Sequence, residues 1–216
     1  LANNQITANL ICGNDGSGIF IFKPASGNVN ITDNQIQSNG RRRRRAAIYL
    51  MGNDHQVTNN AIEFQTGAGV AVSAFWAQGE MASIRNLITN NRFLKNEGLS
   101  IDLIANGNEA IEDFQDGDGI NPPRNSENRR LDTGNGAINA PHFLAREFYL
   151  FKDRVNLDGV ADPGSEVEIY RVYLDGNHHG PLSKPLRKVI ANSQGRFQAT
   201  FADLLPGTVL SAIARD

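Results

Sequence analysis

A single cysteine, Cys12, stands among 216 residues, so the chain can form no internal disulfide and build no thiolate metal cluster. It follows the apolar pair Leu10-Ile11 and reads as a small packing residue rather than a nucleophile. No apolar run approaches the length of a membrane span, so no spanning segment is expected. Positive charge is not in excess: the formal net charge is −2, which gives no overall basic footprint for nucleic acid. Also missing are a nucleophile elbow, a phosphate-cradling loop and an HExxH metal motif. Other residue types are abundant. Hydrophobic residues make up 40% of the chain, with 21 glycines and many asparagines, which suits an all-β protein with numerous turns. The length allows two modest domains.

The asparagines are periodic. Four blocks, at 3–6, 33–36, 59–62 and 90–93, superimpose with Asn4, Asn34, Asn60 and Asn91 in one column, 30, 26 and 31 residues apart. Three positions earlier stand Leu1, Ile31, Val57 and Ile88; two positions later stand Ile6, Ile36, Ile62 and Phe93; five positions later stand Asn9, Asn39, Gln65 and Asn96. A period in this range with drifting loop lengths points to stacked coils. Each block is followed by a short alternating strand, at 18–22, 46–50, 69–73 and 98–102. Alternation directs Ile19/Ile21, Ile48/Leu50, Val70/Val72 and Leu99/Ile101 inward. Gly, Asn and β-branched residues dominate and no 3.6-residue period survives, so helix is disfavoured. At tight turns Asn tolerates the left-handed region, and its amide can bond to the next Asn one coil away.

The pattern apolar-x-x-Asn-x-apolar, then Asn, then Gly-apolar-x-apolar resembles the right-handed parallel β-helix repeats of the pectate-lyase-like superfamily, over the chain to about residue 105. The resemblance is specific for fold. Its members include polysaccharide lyases, hydrolases and epimerases, and also tailspikes, adhesins and non-catalytic surface proteins, so function must be argued from the site. Leu1 falls on an inward strand position in this alignment, with no initiator Met and no signal-peptide pattern, and the expectation is that upstream coils or a removed leader precede it.

The repeat fades after Asn106 into a stretch that carries Asp102, Glu109, Glu112, Asp113, Asp116 and Asp118 with no Lys or Arg. Asp113, Asp116 and Asp118 alternate with Gly and Asn as in calcium-wrapping loops, although no Glu closes the loop at the usual distance. Calcium ligation and an acidic connector both remain open. The Asp-Thr-Gly-Asn-Gly and Asn-Ala-Pro elements at 132–136 and 139–141 resemble the capping tail that follows such repeats in secreted bacterial proteins. From His142 onward the texture changes. Residues 159–170 read as strand, Pro-Gly turn and strand, 189–201 as a hairpin with its turn at 192–195, and 208–214 as a final strand. This spacing resembles bacterial Ig-like modules, which usually continue beyond the Ala-x-Asp found here at 214–216.

A site on stacked strands would use their outward columns. These read Phe20, Tyr49, Ala71, Ser100 and Phe22, Met51, Ser73, Asp102, where Asp102 is the one ionisable group. Hydrolases need paired carboxylates, and lyases need a cationic base with a cation or metal, so the columns argue against catalysis. They offer aromatic surface instead: Phe20, Phe22 and Tyr49, joined by Trp76, would stack on sugar rings unless a loop covers them. Arg41, Arg42, Arg43, Arg44 and Arg45 form a cationic turn that cannot all be buried and would grip an acidic polymer or simply sit in solvent. His178 and His179 read as a polar turn rather than a metal pair, and His55 as a packing histidine.

These readings converge on an all-β protein: a right-handed parallel β-helix with an acidic cap over 1–138, followed by an Ig-like β-sandwich over 139–216. A secreted or cell-surface structural or adhesive role is expected, with acidic glycan or another cell-surface polymer as partner and calcium as the candidate cofactor. Two alternatives stand beside it. One is a polysaccharide lyase or hydrolase with its site in loops or outside this stretch. The other is a fibre subunit that pairs with neighbouring copies by strand addition.

Overall fold

The computed structural model describes residues 3–22, 28–73, 83–105, 115–123, 132–174 and 181–216, and these are all-β apart from one 3-10 turn at Gly134–Ala137. Twelve short strands form three parallel four-stranded sheets. The first sheet stacks β1 (Asn4–Thr7), β4 (Val29–Thr32), β7 (Gln56–Thr58) and β10 (Leu87–Thr89); the second, β2 (Leu10–Cys12), β5 (Gln35–Gln37), β8 (Ala61–Glu63) and β11 (Arg92–Leu94). The third stacks β3 (Ile19–Ile21), β6 (Ile48–Leu50), β9 (Val70–Val72) and β12 (Ile101–Leu103). The chain thus visits the three sheets in turn, four times over.

The core consists of in-register apolar columns. Ile6, Ile31, Val57 and Ile88 align in the first sheet, and Ile11, Ile36, Ile62 and Phe93 in the second. Ile19, Ile48, Val70 and Ile101 align in the third, beside Ile21, Leu50, Val72 and Leu103. Ile31, Ile36, Ile48, Val57 and Ile62 are fully buried, each contributing about 1.5–3 kcal/mol relative to an exposed side chain.

Amide ladders run along the corners. Asn34 accepts the backbone N–H of Asn9, Asn60 that of Asn34, and Asn91 that of Asn60, each at 2.9 Å. A second ladder links Asn14, Asn39, Gln65 and Asn96 at 3.1–3.2 Å. In a third, the N–H of Val29 donates to His55 Nδ1, that of His55 to Asn86 Oδ1, and that of Asn86 to Asn135 Oδ1. The residue before each position of the first two ladders, and before His55 and Asn86 in the third, turns the corner with a positive φ, for example Ala8 (57°), Asp33 (56°), Phe64 (56°) and Arg85 (57°); Asn135, at the end of the third, is itself left-handed (49°). Apart from Asn135, the ladder asparagines are therefore selected for hydrogen bonding, and the left-handed residue is their predecessor.

Two expected registers are corrected. The first ladder passes through Asn9, not Asn4, so Ile6 and Ile11 occupy the columns assigned to Leu1 and Ile6. Both asparagines stand two residues before an isoleucine, and only the pairing separates them. In the fourth coil Ile101 and Leu103 point inward rather than Leu99 and Ile101, because Ser100 rather than Gly98 lies opposite Gly69. Second-sheet core residues precede third-sheet ones by eight residues in three coils (Ile11 to Ile19, Ile62 to Val70, Phe93 to Ile101); Ile36 to Ile48 spans twelve, and the extra residues form the arginine turn.

The remaining strands form two antiparallel sheets. In one, β15 (Arg154–Val160) pairs with β13 (His142–Phe143), β14 (Leu150–Phe151) and β18 (Arg196–Phe201); in the other, β16 (Glu166–Val172) lies between β17 (Leu182–Ile190) and β19 (Val209–Arg215). Leu157, Val167, Ile169 and Phe197 are buried between them. The turn expected at 192–195 forms, with the N–H of Gly195 donating to the carbonyl of Asn192 at 2.8 Å. Its flanking strands do not make a hairpin: β17 pairs with β16 and β18 with β15, so this connection crosses between sheets.

The antiparallel unit closes the far end of the coil stack. Glu168 accepts from Thr89 Oγ1 at 2.8 Å and from the Asn90 N–H at 3.1 Å, and Lys188 donates to Thr89 Oγ1 at 2.8 Å. Tyr170 and Leu182 join the coil core. The Asn121 side chain accepts the Leu103 N–H and donates to the Ile101 carbonyl, at 2.8 and 2.9 Å, in place of a further strand.

Substituting Asn60→Ala leaves buried backbone groups without partners and is expected to cost about 2–3 kcal/mol, whereas Asn9→Ala, at an exposed site, should cost under about 1 kcal/mol; equal losses in urea unfolding would contradict the ladder. His55 is buried with Nδ1 accepting and Nε2 bonded to the Met51 carbonyl at 2.9 Å, so it is neutral, and burial lowers its pKa below 6.5. At this group the folded state then binds fewer protons than the unfolded chain, and the His55 contribution to stability falls as pH drops below about 6.5. His55→Asn is expected to remove that dependence in unfolding curves recorded between pH 7 and 5.

Candidate functional site

The third sheet carries its outward columns in a revised order. Phe20, Tyr49, Ala71 and Asp102 form the first, and Asp102 thus moves one column from its expected place. The signal that would have placed it is the eight-residue interval from Phe93 to Ile101. Phe20 stacks on Phe22 at 5.5 Å and meets Tyr49 at 5.3 Å. Tyr49 is fully buried, in a cluster with Ala46, Met51, Ala68, Ala71 and Ile104. It does not offer a ring face to a ligand, which corrects its assignment as a binding residue. Phe20 and Phe22 stay 40% and 53% exposed. Trp76 lies outside the described residues, as do Asp113, His178 and His179.

The arginine turn is stitched to its neighbours. The N–H groups of Gly40, Arg41 and Arg42 donate to the carbonyls of Gly16, Asn14 and Asp15 on the preceding coil. Arg42 pairs with Asp15 at 3.1 Å; Arg44 pairs with Asp116 at 3.4 Å and donates to the Thr66 carbonyl at 3.0 Å. Arg45 is buried, its Nη1 donating to the Arg44 carbonyl at 2.9 Å. The run therefore divides: Arg44 and Arg45 hold the corner together, and Arg41, Arg42 and Arg43 face solvent. Cys12 is exposed, contrary to the packing role expected for it.

The segment around Asp116 crosses this corner and closes on Asp102. Ala46 and Ala68 donate backbone N–H groups to the carbonyls of Gln115 and Asp116. Asp102 is only 1% exposed, and its Oδ2 accepts the Gly119 N–H at 2.9 Å. Burial, opposed by that hydrogen bond and reinforced by Asp118 and Asp116, pushes its pKa to about 8. Of the expected calcium set, Asp113 lies outside the described residues, and Asp116 and Asp118 lie within them. Asp116 turns to Arg44, Asp118 accepts the N–H groups of Ala105 and Ile120, and no group of three metal-binding side chains forms among the described residues.

A cavity of about 700 Å³ lies between the last coil and β19, lined mainly by apolar side chains that include Leu87, Leu99, Ile101, Ile138 and Ile213. Of the asparagines that line it, Asn86 and Asn135 are engaged in the third ladder. No helix among the described residues is long and apolar enough to cross a membrane. No protein-family model matches the chain, and no curated protein is significantly similar to it.

A raised carboxyl pKa means that the folded state holds a proton the unfolded chain has lost. Asp102 therefore contributes most below pH 4, and its contribution is lost as pH rises towards about 8. In chelator-treated protein carrying His55→Asn, which removes the opposing component between pH 7 and 5, the unfolding midpoint should fall over this interval, and adding Asp102→Asn should flatten the fall.

Proposed function

We propose that this chain is a structural or adhesive module of a secreted or cell-surface protein that holds acidic glycan on its first two coils. In this reading, residues 1–138 are a right-handed parallel β-helix with its cap, and 139–216 an Ig-like sandwich. The observation that carries the functional part is the arginine corner. Arg41, Arg42 and Arg43 are exposed on a turn fixed to the preceding coil by three backbone hydrogen bonds, and Arg41 and Arg43 make no ion pair among the described residues. A guanidinium held on a rigid support meets carboxylate or sulfate groups in bidentate fashion with little further ordering. The exposed Phe20–Phe22 pair sits on the same two coils and supplies an apolar face for sugar rings.

Turnover is the weaker reading. A hydrolase needs two carboxylates open to its polymer, and Asp102, the carboxylate of the outward column, is covered.

Retention on immobilised polygalacturonate or heparin, compared with neutral dextran, tests the proposal. The native chain should be retained and released by salt, since exposed charges are screened within about 8 Å at physiological ionic strength. Arg41→Ala/Arg43→Ala should abolish most retention, and Phe22→Ala should weaken it less. Undiminished retention by the double variant, or none by the native chain, would sink the glycan reading.

A further inference from the structure

The cavity between the last coil and β19 is walled on one side by six consecutive residues, Ser211 to Asp216. Side chains alternate between the two faces of a strand, and here Ala212 packs into the core between the antiparallel sheets while Ile213 packs against the coil core. A wall made of both kinds is the edge of β19, not one of its faces. The opposite edge is paired with β16 over the whole of Val209–Arg215. The main-chain groups of residues 209–215 that point away from β16 therefore have no partner among the described residues.

The two edges of this sheet differ in kind. β17 carries Lys184, Pro185, Arg187 and Lys188 and shifts register twice against β16, all devices that keep a foreign strand away. β19 reads Val-Leu-Ser-Ala-Ile-Ala before its first charge at Arg215, and it holds register through seven pairs. Beside this unguarded edge lies an apolar floor. Leu87, Leu99, Ile101 and Ile138 line the cleft half-exposed, whereas Ile48 and Val70, which share the column of Ile101, are fully buried. β16 and β17 already close part of the stack's end through Tyr170 and Leu182. The cleft begins where that sheet stops.

We propose that the free edge of β19 receives an extended strand of a second polypeptide, uncharged and with apolar side chains at every second position. An edge presents N–H and C=O groups in alternation, and a polypeptide main chain meets them in step. An apolar small molecule in the cleft leaves those groups unpaired. The alternate side chains of the added strand enter the cleft over Leu99 and Ile101, and the sheet β17-β16-β19 continues across the end of the stack, extending a contact that the fold already makes. The rim calls for no charged occupant, because Arg85 is paired with Asp54 and Arg215 with Glu166. Seven residues of edge span about 24 Å, which sets the length of the occupant. This surface is separate from the arginine corner, and the proposal is independent of the glycan reading.

The test is titration of the full chain into a dye-labelled, end-blocked peptide of sequence Ser-Thr-Val-Thr-Val-Thr-Val-Thr-Ser, followed by fluorescence anisotropy. Saturable one-to-one binding is expected. Methylating alternate amide nitrogens of the peptide, in two separate sets, should weaken binding unequally: at least about ten-fold for the set that faces β19, and clearly less for the set that faces solvent. Ser211→Lys, on the edge, and Leu99→Lys, on the coil side, should each weaken binding at least about ten-fold. Gln194→Lys, on the exposed 192–195 turn, should behave as the native chain. If one cleft variant fails to fold, the other serves alone. Absence of saturable binding up to about 1 mM, or undiminished binding by a folded cleft variant, would overturn the proposal. An equal response to the two methylated sets would overturn it in favour of a cleft that takes apolar groups without strand pairing.

Discussion

Everything in the coil stack depends on a backbone N–H at each corner that has no strand to bond to. A corner must leave one sheet and enter the next, so its amide drops out of the ladder of main-chain pairing just where the core is densest. The solution repeated here is an amide side chain on the following coil, as when Asn60 receives Asn34 and Asn91 receives Asn60. Its nitrogen then returns hydrogen bonds to main-chain carbonyls, Ile31 and Thr58 in the case of Asn60. One side chain thereby satisfies several buried groups that would otherwise each cost about 1–3 kcal/mol.

The device is directional. Each corner donates to the coil after it, so the last coil has donors with no further coil to receive them. Three unrelated acceptors meet this need: Asn135 for Asn86, Glu168 for Asn90, and Asn121 for Leu103. Two come from the connecting segments and one from a β-strand of the antiparallel unit, which also sends Tyr170 and Leu182 into the coil core. The contact between the parallel and antiparallel parts is thus chemically the same kind of event as the contact between two coils. His55 shows how narrow the requirement is: an imidazole serves in an asparagine column because its Nδ1 lone pair occupies the same position as an amide oxygen.

The sequence revealed the columns because core and ladder each demand one residue type at every coil, and repetition makes such demands visible. It failed where two local solutions looked alike. Asn4 and Asn9 each precede an isoleucine by two residues, and Gly98 imitates Gly69; only the pairing of strands discriminates between them. At 192–195 the turn was legible from its own residues, but the sheet to which each flanking strand belongs was decided by distant core faces. The site was less legible still. Tyr49 is buried by packing among Ala46, Met51, Ala68, Ala71 and Ile104, and the influence of Asp118 on Asp102 depends on a segment that returns over the stack; periodicity encodes neither. Within the arginine run the split between exposed and buried members follows from stacking on adjacent turns, which composition does not carry.

The coil that holds the arginines spends twelve residues where the others spend eight, yet Ile36 and Ile48 remain in register with their neighbours on both sides. The pitch of the stack is therefore indifferent to the length of this corner. Four extra residues are accommodated there without disturbing a core column, so the exposed part of the turn, Arg41 to Arg43, can change a surface specificity while Arg44 and Arg45 keep the corner in place. A lineage under pressure to recognise new polymers would be expected to vary first at this corner, while the ladder residues that flank it stay fixed.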